Sequence, residues 1–492
     1  MIDRIKTLEI TSRQLDPGSI QKEEWDAQVF KYAHTFLNNI EEEKAYHQPD
    51  STNSGMPEEF DVQEEASGLP ELLETITTHI DNTGINPASA GHMGYIPGGG
   101  LYPSALGDYI AAVSNRYAGV FFAAPGAVKL ENRLLKWMSD LIGFPASAAG
   151  NLTSGGSIAN LIGLVTAREA KGLKARDFER AVIYLSEQAH HSLQKAIRIA
   201  GLNEATLRYI PLDDKLRLIP ERLQAQIEQD QQNGLIPFFI NSSLGTTNTG
   251  AIDPIDDIAE IAIKFKLWHH IDAAYGGFFK LVPSLSEKFK GVEKADSITL
   301  DPHKSLFLPF GTGAILVKDK KFLLAVHHYL ADYMQDTHAS NQELSPADIS
   351  PELTKHFRGM RLWLPLKLFG LKPFRAALEE KLLLANYFHQ EIQKIPNFEA
   401  GPEPQLSVAT FRYVPENSDP NTWNAELLEA LRKDGRIFLS STSINGVFWI
   451  RVAILIYRTH LKDIQLLLKL IQNETGKLES RNKQVYKGNK FQ

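Results

Sequence analysis

The chain reads as an α/β protein built on a mostly parallel sheet, preceded by a helical segment and followed by a smaller α+β piece. Three observations carry that reading. Short continuous apolar runs alternate with helix-length amphipathic segments through the middle of the 492 residues, the pattern of strands covered on both faces by crossover helices. The runs end in small or polar residues, at Ser243, Asp272 and Asp301-Pro302, and open α/β sheets bind ligands at such carboxyl ends. From about residue 376 the texture shifts to long helices interleaved with strands. The expected division is a helical segment over 1–90, a large domain over 91–375 and a small C-terminal domain over 376–492.

Taken in order, residues 19–45 place Trp25, Val29, Tyr32, Ala33, Phe36, Leu37 and Ile40 at three- and four-residue intervals, the stripe of an amphipathic helix. The polar stretch 47–61 reads as a surface linker, and Leu72, Leu73, Ile76 and Ile80 mark a second helix ending near Asn82-Thr83-Gly84. Strands are expected at 181–186, 235–243, 267–272 and 297–300, with helices near 190–200 and over 253–265. Beyond them come a helix over 374–394, a strand over 406–414, a helix over 421–433, and strands in RIFLSST and VFWIRVAIL. The basic, polar tail over 481–490 is expected to fray.

Composition narrows the function. With 43% hydrophobic and 23% charged residues the chain has the balance of a globular protein, and its net charge of −7 provides no basic footprint for nucleic acid. The absence of cysteine excludes disulfides, thiolate catalysis and cysteine-ligated metals. The N-terminus lacks the apolar core of a secretory signal and no run of 18 apolar residues occurs, so the cytoplasm is the expected location.

Four segments could supply chemistry. In NLTSGGSIANLIGLVTARE (151–169), a Ser/Gly cluster opens an apolar helix, so Gly155, Gly156 and Ser157 could cradle a phosphate. In SEQAHHSLQ (186–194), His190 and His191 follow a strand, where an imidazole can cap, or can stack on a flat ring. NSSLGTTNTG (241–250) ends a strand in small polar groups, Thr246 among them, and WHHIDAAYGGF (268–278) ends one at Asp272, followed by small neighbours that leave room for something flat. A carboxylate in so apolar a run should be paired or catalytic. In SITLDPHKSLFL (297–308), Asp301-Pro302 breaks a strand and sets His303 beside Lys304. A lysine able to form a Schiff base, an aspartate for a ring nitrogen, a stacking histidine and a phosphate cradle together suit pyridoxal 5'-phosphate (PLP).

These motifs, Asp-Pro-His-Lys with Ala295-Asp296-Ser297 before it, His-Ile-Asp-Ala-Ala-Tyr-Gly-Gly, Leu-Gly-Thr-Thr and Glu-Gln-Ala-His, resemble in order the group II PLP-dependent amino acid decarboxylases. The likeness runs from about Gly91 to Trp363 and is nearest to a less characterised bacterial-type branch. It implies an aminotransferase-like, fold type I enzyme that works as a homodimer with shared active sites. It also implies Lys304 as the Schiff-base lysine, His303 on the phosphate side, Asp272 at the pyridine nitrogen, Ala274 under the ring and His190 stacked on it. Gly156 and Ser157 match the phosphate loop, Thr246 lies beside the cofactor, and Tyr95, Pro97 and Tyr117 match substrate-side positions, Tyr117 in a segment that reaches the neighbouring subunit. A mobile loop with a tyrosine that returns a proton to the substrate carbon places Tyr333 there, with Tyr329 as the alternative.

The implied reaction is decarboxylation of an L-amino acid, aromatic by preference, to the amine and CO2. A decarboxylation-dependent aldehyde synthase, an aminotransferase or aldolase of the same fold, and a non-catalytic homologue are the competing readings. This chain departs from the family pattern at Ser305, where the best-known members have Trp, and at Gly119, where aromatic-amino-acid decarboxylases place bulk. A glycine there is expected to remove a pocket wall. Arg358, Arg361 and Arg451 are the cations that could hold a substrate carboxylate.

Overall fold

In the computed structural model, which describes residues 1–48, 57–328, 343–416 and 418–488, the central apolar runs form one seven-stranded sheet. Two short strands, β1 (Tyr46–His47) and β2 (Gly84–Ile85), pair apart from it. The large sheet comprises β3 (Ala149–Thr153), β4 (Ala181–Ser186), β5 (Thr206–Ile210), β6 (Ile236–Ser243), β7 (Trp268–Asp272), β8 (Ser297–Leu300) and β9 (Gly313–Val317). Its order is β3-β9-β8-β7-β6-β4-β5. The pairs from β8 to β5 are parallel, and β9 is antiparallel to both neighbours. Every residue of β4, β7 and β8 is buried, the burial on both faces that a parallel sheet covered by helices imposes, with polar His269, His270, Ser297 and Thr299 among the buried residues.

From β4 the chain steps outward to β5, then returns to β6 on the other side of β4 and proceeds through β7 to β8. The strand order reverses between β4 and β6, which is where a doubly wound sheet opens a crevice at its carboxyl ends. His190 follows β4, Thr246 follows β6, Asp272 ends β7 and Lys304 follows β8. The topology therefore brings together segments more than a hundred residues apart.

The C-terminal piece is a four-stranded antiparallel sheet of β10 (Phe398–Ala400), β11 (Val408–Tyr413), β12 (Ser440–Ile444) and β13 (Val447–Ala453), in the order β10-β11-β13-β12. Phe388, Phe411, Trp423, Leu427, Ile450 and Ile464 fill its core, together with Met93 from the start of the large domain. Met93 is tied in by hydrogen bonds from its own N–H to the Phe438 carbonyl and from the Ala453 N–H to its carbonyl. Residues 91–94 are thus attached to the C-terminal sheet.

One detail differs from expectation. The tail does not fray at 481: the last helix runs from Leu461 to Gly488, because nothing between Lys477 and Tyr486 breaks a helix and the residues are mostly good formers. The helices Tyr102–Ser114 and Pro125–Ile142 pack ahead of the first strand of the large sheet, whereas the helix over Ile2–Ser12 buries none of its residues. Most of the proposed linker, residues 49–56, lies outside the described residues. Among the described residues no helix is long and apolar enough to cross a membrane.

Candidate active site

A cavity of about 440 Å³ opens at the carboxyl ends of the parallel strands. Gly155, Gly156, Ser157, His190, Thr246, Asp272, Ala274, His303 and Lys304 all line it. Each arrives there for a local reason.

Lys304 is delivered by a one-turn helix, Pro302–Ser305, that starts where Pro302 stops β8. The Ser305 hydroxyl donates to the Tyr275 carbonyl at 2.8 Å and pins that turn against the segment after β7. The Lys304 ammonium lies 3.1 Å from Asp301 Oδ2, and Asp301 is 1% exposed. Its other oxygen, Oδ1, is buried without a partner. His303 donates from Nδ1 to the Thr312 carbonyl at 2.7 Å, and burial lowers its imidazole pKa below the ordinary value.

Asp272 is 8% exposed and is held on both oxygens. Asn160 Nδ2 donates to Oδ2 at 2.9 Å and the Ala274 N–H donates to Oδ1 at 3.1 Å. The remaining lone pairs can take a protonated ring nitrogen. His190 has Nδ1 2.7 Å from Ser192 Oγ, and its ring centroid is 4.1 Å from that of His191. Burial lowers the His190 pKa, which favours the neutral, stackable imidazole. Thr246 Oγ1 accepts from the Ala251 N–H at 3.1 Å, closing the turn after β6.

The phosphate side is a helix start. The helix Gly156–Ala170 has no side-chain cap at Gly155, so its first amides and its positive end stay free for an anion. Side chains are excluded from this turn: a Cβ on Gly156 would meet Asp301 Oδ2 at 2.8 Å and Ala274 Cβ at 3.2 Å. An open helix start, a lysine, a buried carboxylate and a neutral imidazole around one cavity fit PLP. The uncapped turn would take the phosphate, Asp272 the ring nitrogen and Lys304 the aldehyde.

Three residues of this set were not foreseen as functional. Asn160 sits one turn into an otherwise apolar helix, and a lone amide in such a stripe was the available signal. Ser192 gave none beyond following two histidines. Asp301 was visible only as a strand breaker, yet it is the counter-ion of Lys304.

Other candidates lie elsewhere. Tyr95, Pro97 and Tyr117 do not line this cavity. Tyr95 packs its ring 5.8 Å from that of Phe438, Pro97 borders a neighbouring apolar cleft, and Tyr117 is half-buried. Tyr333 and Tyr329 fall outside the described residues. Gly119 does not open a pocket wall, because a Cβ there would lie 2.1 Å from the Leu353 carbonyl oxygen and the space is filled by backbone. Arg358 is paired with Glu352 at 3.1 Å, and Arg361 donates from Nε to Asp108 at 2.8 Å and from Nη1 to the Phe310 carbonyl at 2.8 Å. Both are therefore engaged, and Arg451 donates to the Gly94 carbonyl and Ser440 Oγ away from the cavity lining.

A crevice at the strand-order reversal that gathers a lysine, a held aspartate and an open helix start defines a PLP enzyme of the aminotransferase-like fold. The conserved-domain model of pyridoxal-dependent decarboxylases matches residues 49–414. The chain is 31% identical to the aromatic-L-amino-acid decarboxylase of Bacillus atrophaeus over 83% of this chain and 86% of that one. It is 30% identical to the phenylacetaldehyde synthase of Arabidopsis thaliana, over 83% and 86%. The fold matches the crystal structure of Oryza sativa TDC with PLP and tryptamine at a TM-score of 0.88, with 22% identity, over 94% of this chain and 99% of that one. The chain belongs to the pyridoxal-dependent decarboxylase family. It is a PLP-dependent carboxy-lyase acting on an amino acid.

Proposed function

We propose that this enzyme decarboxylates an aromatic L-amino acid to the corresponding amine and CO2, with Lys304 as the residue that carries the cofactor. The observation behind this is the meeting of Lys304, Asp272, His190 and the uncapped Gly155-Gly156-Ser157 turn in one cavity. The aromatic preference is supported by the relatives, an aromatic-L-amino-acid decarboxylase among them. Bound there, PLP supplies an electron sink for the pair left behind when the carboxylate departs.

The chain's own residues orient and exclude. Asp272 holds the ring-nitrogen edge through its free lone pairs, Ala274 supports one face of the ring and His190 covers the other. The helix start at Gly156, with Ser157, Thr246 and His303, holds the phosphate end. Ala274 and His190 would fix the ring between them, and these residues would serve to orient the substrate's departing carboxylate. Tyr333, or Tyr329, is assigned the return of the proton to Cα.

Tyr95, Pro97 and Tyr117 serve the substrate side in a homodimer, where Tyr117 reaches the cavity of the other subunit. For Tyr117, a position outside the cavity of its own chain is compatible with that assignment. The division into 1–90, 91–375 and 376–492 is kept, since one buried core gathers residues from Leu384 onward with Met93 alone from outside them. The lack of cysteine fits the reducing compartment of a cytoplasmic enzyme.

A second reading, decarboxylation coupled to aldehyde formation, is favoured by the 30% identity to a phenylacetaldehyde synthase. Borohydride reduction of the loaded enzyme followed by peptide mass mapping tests the lysine assignment. The pyridoxyl group is expected on the peptide containing Lys304, and a label on any other lysine refutes it.

A further inference from the structure

Asp272 and His190, assigned above to the ring nitrogen and the ring face, are joined through one side chain. Asn160 Nδ2 donates to Asp272 Oδ2 at 2.9 Å and to Ser192 Oγ at 3.0 Å, and Ser192 Oγ lies 2.7 Å from His190 Nδ1. On the other side, Asn160 Oδ1 accepts from Thr299 Oγ1 at 2.7 Å and lies 3.1 Å from His270 Nε2. His270 Nδ1 is 2.8 Å from Ser297 Oγ, which accepts from Trp268 Nε1 at 2.8 Å. Asn160, Ser192, His270, Ser297, Thr299 and Trp268 are each no more than 2% exposed.

The direction of each link follows from its chemistry. A carboxylate only accepts, so the amide nitrogen of Asn160 faces Asp272 and its oxygen faces His270. His270 Nε2 therefore carries a proton, and in the neutral ring Nδ1 accepts from the Ser297 hydroxyl. Trp268, a donor only, takes a lone pair on Ser297. At the far end Ser192 Oγ, already accepting from Asn160, turns its hydroxyl proton to His190 Nδ1 at 2.7 Å, with the Ser192 backbone N–H a longer second donor at 3.3 Å, so that nitrogen accepts. The proton of neutral His190 is then on Nε2, at the ring edge turned away from Ser192. Burial pushes His270 down to about 4 and lowers His190 as well, so both rings are neutral near pH 7.

We propose that Asn160 is a positioning residue that sets two groups at once: it orients Asp272 directly and, through Ser192, locks His190 in the Nε2–H tautomer. His190 then offers the substrate carboxylate a hydrogen-bond donor and not a lone pair. This deepens the function proposed above and rests on its assignment of Asp272 and His190.

The test is a long-range 1H–15N spectrum of the full-length protein labelled with 15N-histidine, recorded with and without PLP. His190 signals, identified by their loss in His190→Gln, are expected to show a protonated Nε2 and a bare Nδ1. In Ser192→Ala they move toward a mixture of tautomers and kcat falls with little change in KM. In Asn160→Ala the same movement is joined by weaker retention of PLP, by about tenfold or more in a fluorescence titration. A proton on Nδ1 in the unaltered protein overturns the proposal, and so do His190 signals that ignore Ser192→Ala. Should Asn160→Ala fail to fold, the Ser192→Ala spectrum decides alone. Unaltered protein that takes up no PLP refutes the cofactor assignment instead, while the tautomer is still read from the unloaded spectrum.

Discussion

Lys304 is the kind of side chain that normally stays in water, and here it is brought inward against a fully buried carboxylate, Asp301, at 3.1 Å. That placement is explicable only if the amine has work inside the cavity. Lys304→Ala is expected to abolish the visible absorbance of lysine-bound cofactor and to lower turnover by about 10²- to 10⁴-fold, the span found for groups that take part in the chemistry. Spectra and initial rates on the same preparation check this. Asp272→Asn removes the charge facing the ring nitrogen and leaves the hydrogen bond from Asn160 without its anionic acceptor. Its expected cost to cofactor retention is about 2 kcal/mol, measured by dialysis against pyridoxal-free buffer. Retention equal to that of the unaltered enzyme would place the ring nitrogen elsewhere.

At the scale of the element, β7 is a strand whose polar residues serve the inside of the sheet. His269 and His270 are buried there, and burial pushes their pKa values down to about 3 and about 4. The unfolded chain takes up these protons as pH falls below the ordinary value of 6.5, whereas the folded chain does not until pH is well below 5. Stability is therefore complete above pH 6.5 and falls toward pH 4, each histidine contributing about 3–5 kcal/mol when the whole range is traversed. Urea midpoints should be lower at pH 5 than at pH 7, and the difference should shrink in His269→Gln; a midpoint indifferent to pH contradicts this. The loop before the helix Gly359–Phe369 makes a comparable commitment. Lys355 pairs with Glu131 at 3.0 Å, both side chains being fully buried, and also donates to Asn151 Oδ1 and the Leu152 carbonyl. Lys355→Met strands Glu131 and should cost about 3–5 kcal/mol in a denaturant melt.

The elements that could be read from the sequence were those whose pattern is local. β4, β7 and β8 are short runs rich in apolar or β-branched residues with a polar stop, and their stops are the site. β3 was not legible because Ala149-Gly150-Asn151-Leu152-Thr153 lacks a β-branched run, and its pairing supplies what propensity does not. β9, Gly313–Val317, has the apolar composition of a strand but lies directly after a Gly-rich turn. Asn160 and Asp301 escaped for a different reason, since the value of each lies in a partner brought near by the sheet.

For the whole molecule, the outer surface carries Ile110, Val113 and Phe122 as exposed apolar groups, and Phe310 at the cavity is 61% exposed. Covering such a mouth with a second copy of the chain is the role proposed for the dimer, so sedimentation should give twice the 55.0 kDa chain mass, and a monomer at micromolar concentration would contradict shared sites. The central claim is the reaction itself. It is tested most directly by supplying the PLP-loaded enzyme with a panel of L-amino acids and recording amine, CO2 and peroxide together. Equimolar amine and CO2 from an aromatic amino acid, without peroxide, is the predicted result. Aldehyde with peroxide, a keto acid without CO2, or no turnover by protein that holds its cofactor on Lys304 would contradict it.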